Sequence, residues 1–281
     1  MKITNKLNLP EVFVKLATSD KEYKDHRYSV TELLMPTREI ILNRKYAHEI
    51  ETDVADTIPA LFGTAIHKIF EEAEPENAEV KLETVINGED TIVGIIDKIR
   101  DDAIEDYKTC SVSKVMKQDF DDWKLQGFIY AWMWFLKTGE IKRVFRNRAL
   151  MKDWSKIKAA MSSDYPKSPI YTYECRIEDS DYDFAERYVH DKLKDIHRAE
   201  LINLPECTDS ERWYTGTKYA VYKKVGDARA AYVADTEEDA HNYITNRCNG
   251  AGEIQVRKGE YLKCNYYCSC NKFCNQYKKG E

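Results

Sequence analysis

Apolar residues recur in two different periods along this chain. In residues 61–72 (LFGTAIHKIFEE) they fall at positions 62, 65, 66, 69 and 70, the spacing of one helical face. Residues 78–87, 91–100 and 103–109 instead carry short β-branched runs, broken at Asn87-Gly88 and at Asp101-Asp102, two pairs with turn chemistry. A helix followed by three successive strands is predicted. The period changes back in DFDDWKLQGFIYAWMWFL, residues 119–136, which predicts an amphipathic to buried helix. Further strands are expected at 141–150, 170–177, 217–223 and 228–234, with helices at 181–199 and 236–246. The pattern describes a mixed α/β chain, and the polar, proline-containing residues 203–210 are its clearest boundary.

The hairpin GIIDKIRDDAIEDYKT, residues 94–109, carries an unusual load of acid. With Asp101 and Asp102 as the loop, pairing runs outward from Arg100 with Ala103 and sets Asp97 opposite Asp106. Like charges across a ladder, about 5 Å apart, are destabilising. Alternation puts Lys108 on the face of Asp106 and turns Tyr107 the other way. Two carboxylates and an ammonium make little sense as packing. They make sense if a divalent cation sits between the acids and the lysine faces a bound water.

Composition narrows the classes. The 281 residues are 43% hydrophobic and 12% aromatic, enough for a sizeable core. The start has no apolar run of signal-peptide length and no later window approaches 18 uncharged apolar residues, so a cytoplasmic protein with no membrane partner is expected. A net charge of −6 argues against polyanion binding by the surface as a whole. Any nucleic-acid contact is therefore local, and residues 142–167 are the candidate, being rich in Lys and Arg. In a strand Lys142, Arg146 and Arg148 share one face; alone the run reads as a solvated charged face, and only beside a catalytic site do Arg146 and Arg148 become the expected DNA contacts. Four of the eight cysteines crowd into Cys264–Cys274 as Cys-x3-Cys-x-Cys-x3-Cys, a ligand spacing. No phosphate-binding Gly-x-x-x-x-Gly-Lys-Ser/Thr sequence is present to power unwinding.

The helices beside the sheet complete an ordered set. Gly63 and His67 share a helical face with Glu71 one turn on, and Gln126 and Tyr130 have the same four-residue spacing. In order the chain reads Gly-x-x-x-His, Gly-x-x-Asp (Gly94, Asp97), Asp-x-Lys (Asp106, Lys108), Gln-x-x-x-Tyr. With these residues the chain resembles the RecB-type branch of the PD-(D/E)XK nuclease superfamily. The resemblance covers nearly the whole chain through FGTAIH, VGIIDK, IEDYKT and KLQGFIYAW. MKDWSK, YP, ERW and the tail RKGEYLKCNYYCSCNKFCNQY look like a subgroup of phage-encoded nucleases.

The resemblance implies a restriction-endonuclease-like core, a central mixed sheet flanked by helices, over residues 1–202, with a cysteine-rich extension, 203–281, packed on it. It implies a metal-dependent deoxyribonuclease, an exonuclease of phage recombination, repair or processing in the host cytoplasm. The alternatives are a structure- or site-cutting endonuclease and a non-catalytic DNA-binding subunit. DNA is the implied partner, with a recombinase, a single-strand-binding protein or a helicase as further ones. Asp97, Asp106, His67 and the Tyr107 carbonyl would hold Mg²⁺ or Mn²⁺. Lys108 would serve the attacking water, and Gln126 and Tyr130 would hold DNA near the scissile phosphate. Several such nucleases hold a four-iron, four-sulfide cluster by one distant cysteine and three near the C-terminus, and the tail is similar through Cys264, Cys268 and Cys274. The distant position departs from the pattern, being Met35 before Pro36. Cys207 is the implied fourth ligand and Cys270 the local substitute. A closed zinc site would suit four thiolates equally well.

Overall fold

The structure, a computed structural model, describes residues 2–17, 23–201 and 203–278. It divides into two units, Met1–Pro205 and Glu206–Glu281. No helix among the described residues is long and apolar enough to cross a membrane.

The first unit opens with β1 (Lys2–Thr4), α1 (Glu11–Ala17), β2 (Arg27–Ser29), α2 (Val30–Leu33), α3 (Thr37–Lys45), β3 (Glu51–Asp53) and α4 (Val54–Ala73). A meander follows of β4 (Ala78–Ile86), β5 (Asp90–Ile99) and β6 (Ala103–Cys110). Then come α5 (Val112–Lys117), α6 (Asp121–Thr138), β7 (Val144–Met151), α7 (Lys156–Met161), β8 (Ile170–Arg176) and α8 (Asp179–Leu201). The predicted elements from residue 61 onward are present with shifted ends. No element is predicted before residue 54, where most elements are very short and α3 is buried on every side from Thr37 to Asn43, so no amphipathic period shows.

A six-stranded mixed sheet organises this unit, in the order β2-β5-β6-β7-β8, with β4 on the far edge of β5. The β2–β5 and β6–β7 pairs are parallel and the others antiparallel. Helices flank it. On the face of Ile104 and Phe145, α6 packs so closely that a Cβ on Gly127 would lie 2.2 Å from the Phe145 ring. Ile92, Ile96, Ile129, Met133, Phe145, Ile177 and Ile196 are fully buried there, and burial of such side chains contributes about 1.5–3 kcal/mol each. Asp121 and Asp122 favour the start of α6, and Gly139, with φ of 75°, stops it in the left-handed region. On the opposite face Phe70 of α4 meets Tyr107, ring centroids 4.5 Å apart. The predicted helix over 61–72 is thus the C-terminal part of a 20-residue helix capped by Asp53, whose carboxylate accepts from the Ala55 N–H.

The second unit has a small antiparallel sheet, β10 (Tyr232–Ala234), β9 (Lys218–Tyr222) and β11 (Glu253–Arg257), with β9 central. Against it α9 (Glu237–Arg247) buries Ala240 and Ile244 on Val221 and Ala234. The cysteine-rich stretch follows as short helical turns, ending in α10 (Asn275–Lys278).

Candidate active site

Two strand edges part where the acids lie. The β5–β6 ladder consists of Lys98–Glu105 and Ile99–Ile104, closed by a bond from the Arg100 N–H to the Ala103 carbonyl. Beyond that, β6 turns to β7 over its whole length while β5 stays with β4. The same edge of β5 is taken up again by β2 at residues 91–93. A seam is left from Gly94 to Asp97. Side chains fill the missing ladder, because unpaired buried backbone groups cost free energy. Asp97 Oδ2 accepts from the Tyr107 N–H at 2.6 Å. The Tyr130 hydroxyl, from α6, enters the gap, accepts from Gln126 Nε2 at 3.2 Å and bonds the backbone of Ile95. Gly94 makes room for it, since a Cβ there would lie 2.7 Å from Tyr130 Cε1 and 3.1 Å from Val30 Cγ2.

The seam gathers the charged groups. Asp106 is buried and receives Lys108 Nζ at 2.8 Å and Asn147 Nδ2 at 2.9 Å. From α4, His67 Nδ1 lies 3.2 Å from Asp97 Oδ1. Burial pushes the Asp106 carboxyl above its ordinary range, Lys108 opposes that, and the Asp97 charge adds to it. His67 is raised because its ring bonds Asp97, against the opposing effect of burial. Burial, and then the nearby Asp106 charge, raise the Tyr130 phenol as well.

Two residues of the site escaped the sequence reading. Glu79 of β4 stands opposite Asp97 of β5, in left-handed backbone with φ of 49°, a conformation uncommon outside glycine. His67, Glu79 and Asp97 each offer a donor atom within 4.8 Å of the others. Burial raises the Glu79 carboxyl, and the Asp97 charge raises it further. Its signal lay in the β4–β5 turn. Asn87 to Glu89 form a three-residue connection that pairs Ile86 with Asp90, and counting back from that pair reaches Glu79 opposite Asp97. Asn147, fully buried, has an Oδ1 with no hydrogen-bond partner. As a neutral amide between two arginines it gave no sequence signal.

Other expected residues are placed differently from the expectation. Gln126 and Tyr130 are each only 4% exposed, so they reach the site from inside the fold rather than from its surface. Glu71 pairs with Lys68 at 2.8 Å. Arg146 and Arg148 do share a face, but it is the face opposite Asp106, and they are not brought to the seam. Both guanidiniums hold Glu105 Oε1, at 2.9 and 3.0 Å, and Arg100 Nε takes Oε2 at 3.0 Å. Lys142 precedes β7 and donates to the carbonyls of Arg100 and Asp101, both at 3.0 Å. These three members of the basic run therefore serve a buried carboxylate and a turn.

In the second unit Cys268 and Cys270 place their sulfurs 3.5 Å apart, and Cys270 and Cys274 are buried. Gln276 bonds both main-chain groups of Cys207, accepting from its N–H and donating to its carbonyl, each at 2.8 Å. Cys264 Sγ accepts from Arg212. Cys110 and Cys175, by contrast, belong to the first unit's core.

No family model matches the chain, nor does any curated protein. Among solved structures it is similar to SSO0001, with a TM-score of 0.44 and 17% identity over 66% of this chain and 82% of that one. It is also similar to the exonuclease LHK-Exo in complex with dAMP, with a TM-score of 0.40 and 10% identity over 62% of this chain and 89% of that one. A second structure of that alkaline exonuclease, from Laribacter hongkongensis, gives a TM-score of 0.37 and 8% identity over the same shares, 62% and 89%.

One prediction follows from the seam. Gly94→Ala should push the Tyr130 ring out of the gap, lower stability by about 1–3 kcal/mol and slow turnover about 10–100-fold through lost positioning. Thermal unfolding and single-turnover cleavage on the same preparation check it. An unchanged rate would separate Tyr130 from the chemistry.

Proposed function

We propose that the chain is a metal-dependent deoxyribonuclease of the PD-(D/E)XK type, RecB branch, acting as an exonuclease. The observation that carries this reading is the convergence of Asp97, Asp106, Lys108 and His67 on an opened seam, where like charges and desolvation make the bare site costly. The donor set suits a hard divalent ion. Asp97, Asp106, the Tyr107 carbonyl and His67 would hold Mg²⁺ or Mn²⁺, with Glu79 within reach as a further carboxylate. When bound, the ion polarises a phosphodiester oxygen and lowers the pKa of water.

The chain's own residues do the rest. Lys108, its side chain 24% exposed, presents an ammonium to the site and is aimed by Asp106 Oδ2. It orients the attacking water and offsets charge that develops on the phosphate. Asn147 holds the same carboxylate oxygen. Gln126 and Tyr130 act as positioning residues that keep the seam open beside Asp106.

The tail fits a thiolate centre as a separate, structural element. The 3.5 Å between Cys268 and Cys270 is near the edge of about 3.8 Å that Zn–S bonds of about 2.3 Å give a tetrahedron. Cys264 and Cys274 complete the local set, and Cys207, whose main chain is fixed by Gln276, would be the distant ligand of an iron-sulfur cluster. Brown protein after anaerobic purification supports iron-sulfur, and colourless protein with stoichiometric zinc supports the alternative. Metal-free protein unaffected by Cys264→Ser and Cys274→Ser removes the centre altogether.

Linear and closed-circular DNA, single- and double-stranded, incubated with Mg²⁺ or Mn²⁺, test the exonuclease reading. End-dependent loss of linear DNA is the expected result. Cutting of closed circles would replace it with an endonuclease.

A further inference from the structure

Residues far from the seam form a second convergence of donors. His26 lies in the turn before β2, Asp90 is the first residue of β5, and His197 sits in α8. His26 Nδ1 is 3.1 Å from Asp90 Oδ1, and His197 Nε2 is 2.8 Å from Asp90 Oδ2. One donor atom from each residue lies within 4.8 Å of the other two. The Asp90 side chain is only 6% exposed, whereas those of His26 and His197 are 48% and 31% exposed. The two rings lean together over the one carboxylate, with centroids 5.6 Å apart and planes 33° from parallel.

Three features exceed what a hydrogen-bonded histidine needs. A single carboxylate is matched by two imidazoles, each aimed at its own oxygen. His26 is held in left-handed backbone, with φ of 53°, while its carbonyl accepts the Thr91 N–H at 2.7 Å. Each ring also has a second carboxylate beside it. Glu200 Oε2 is 3.8 Å from His197 Nδ1, the ring nitrogen turned away from Asp90, and such an outer partner is what fixes the tautomer of a metal-binding histidine. Glu89 Oε1 is 3.7 Å from His26 Nδ1, near enough to supply a fourth donor by rotation of an exposed side chain.

We propose that His26, Asp90 and His197 form a second metal site, selective for a borderline transition ion such as Zn²⁺. Two imidazoles and one carboxylate suit Zn²⁺ or Co²⁺ better than Mg²⁺, which favours oxygen ligands. The site differs in kind from the seam, with its single histidine and several carboxylates. It joins three segments separated by 64 and 107 residues, the turn before β2, the start of β5 and the C-terminal part of α8. Its role is a clasp that ties α8 to the edge of the sheet.

The test uses the full chain, stripped with chelator, in an Asp97→Asn background that weakens the seam. Zn²⁺ alone is the probe, read by equilibrium dialysis and thermal unfolding, with and without His26→Gln or His197→Gln. The proposal expects each histidine variant to bind one equivalent of Zn²⁺ fewer than its background, which cancels any zinc held by the tail cysteines. It also expects Zn²⁺ at about 100 times its Kd to raise the unfolding midpoint by about 5–10 °C in the background protein, beyond the rise in the variants. Co²⁺ substitution should add weak visible bands that both variants lose. His26 is half exposed, so His26→Gln decides the matter if His197→Gln fails to fold. Equal zinc stoichiometry in the background protein and a folded His26→Gln variant would overturn the proposal and leave a hydrogen-bonded triad.

Discussion

DNA turnover is expected to fall by about 10³-fold or more when Lys108 is changed to Ala or Asp106 to Asn, with the fold retained. Lys108 Nζ and Asp106 Oδ2 are 2.8 Å apart at the seam, and each sets the position of the other. The stability effect of Asp106→Asn separates a site from a structural ion pair. Its carboxylate is buried, and burial is the largest influence raising its pKa, with the Asp97 charge adding to it. Substitution removes that burden along with the Lys108 pair, so the unfolding midpoint should stay level or rise. A purely structural pair would show the reverse, a clear loss of stability with activity following the folded fraction. Circular dichroism melts together with cleavage rates at saturating DNA distinguish the two.

Glu105 is the opposite case, and Glu105→Gln should cost about 2–4 kcal/mol of stability. Its side chain is 3% exposed and holds Arg100, Arg146 and Arg148 at about 3 Å. Burial alone would raise its pKa, but the ion pairs with Arg146 and Arg100 outweigh burial and hold the carboxyl below the ordinary range. A depressed carboxylate contributes stability that is present above its unfolded pKa and is lost as pH falls through the folded one. The parent should therefore lose stability in acid, below the ordinary carboxylate range, and Glu105→Gln should show a flatter dependence there. Urea melts at several pH values check this. The two arginines bear on the same carboxylate, so Arg146→Glu and Arg148→Glu should act first through stability. DNA-binding measurements on those variants need a parallel melt.

Much of the candidate site was legible in the sequence because it is local. The loop Asp101-Asp102 fixes the hairpin register, and antiparallel pairing then sets Asp97 opposite Asp106 by counting alone. What failed to show was non-local. Glu105 alternates with Asp106 on β6, but two of its three partners come from β7, 41 and 43 residues on, so Arg146 and Arg148 read as a surface basic run with DNA as its expected contact. The seam itself has no sequence signature, since nothing in VGIIDK says that the β5–β6 ladder stops after two pairs. Once it is seen, Gly94 and Tyr130 explain each other, glycine leaving the space and the phenol filling it. The elements before residue 54 were invisible for another reason. Val30–Leu33, a single turn with Ser29 as its cap, is too short to display any period, and Thr37–Lys45 is buried on every side from Thr37 to Asn43, so no polar face alternates with an apolar one.

The most direct measurement is cleavage of end-labelled linear duplex DNA across a Mn²⁺ titration, with parent and Asp97→Asn run side by side and chelator as the zero point. Asp97 is the residue that meets His67, the Tyr107 N–H and Glu79 together. The expected result is cleavage by the parent that depends on the metal and vanishes with chelator, and none by folded Asp97→Asn at the same concentrations. Parental turnover by Asp97→Asn, or undiminished cleavage by the parent in excess chelator, would contradict the proposed site.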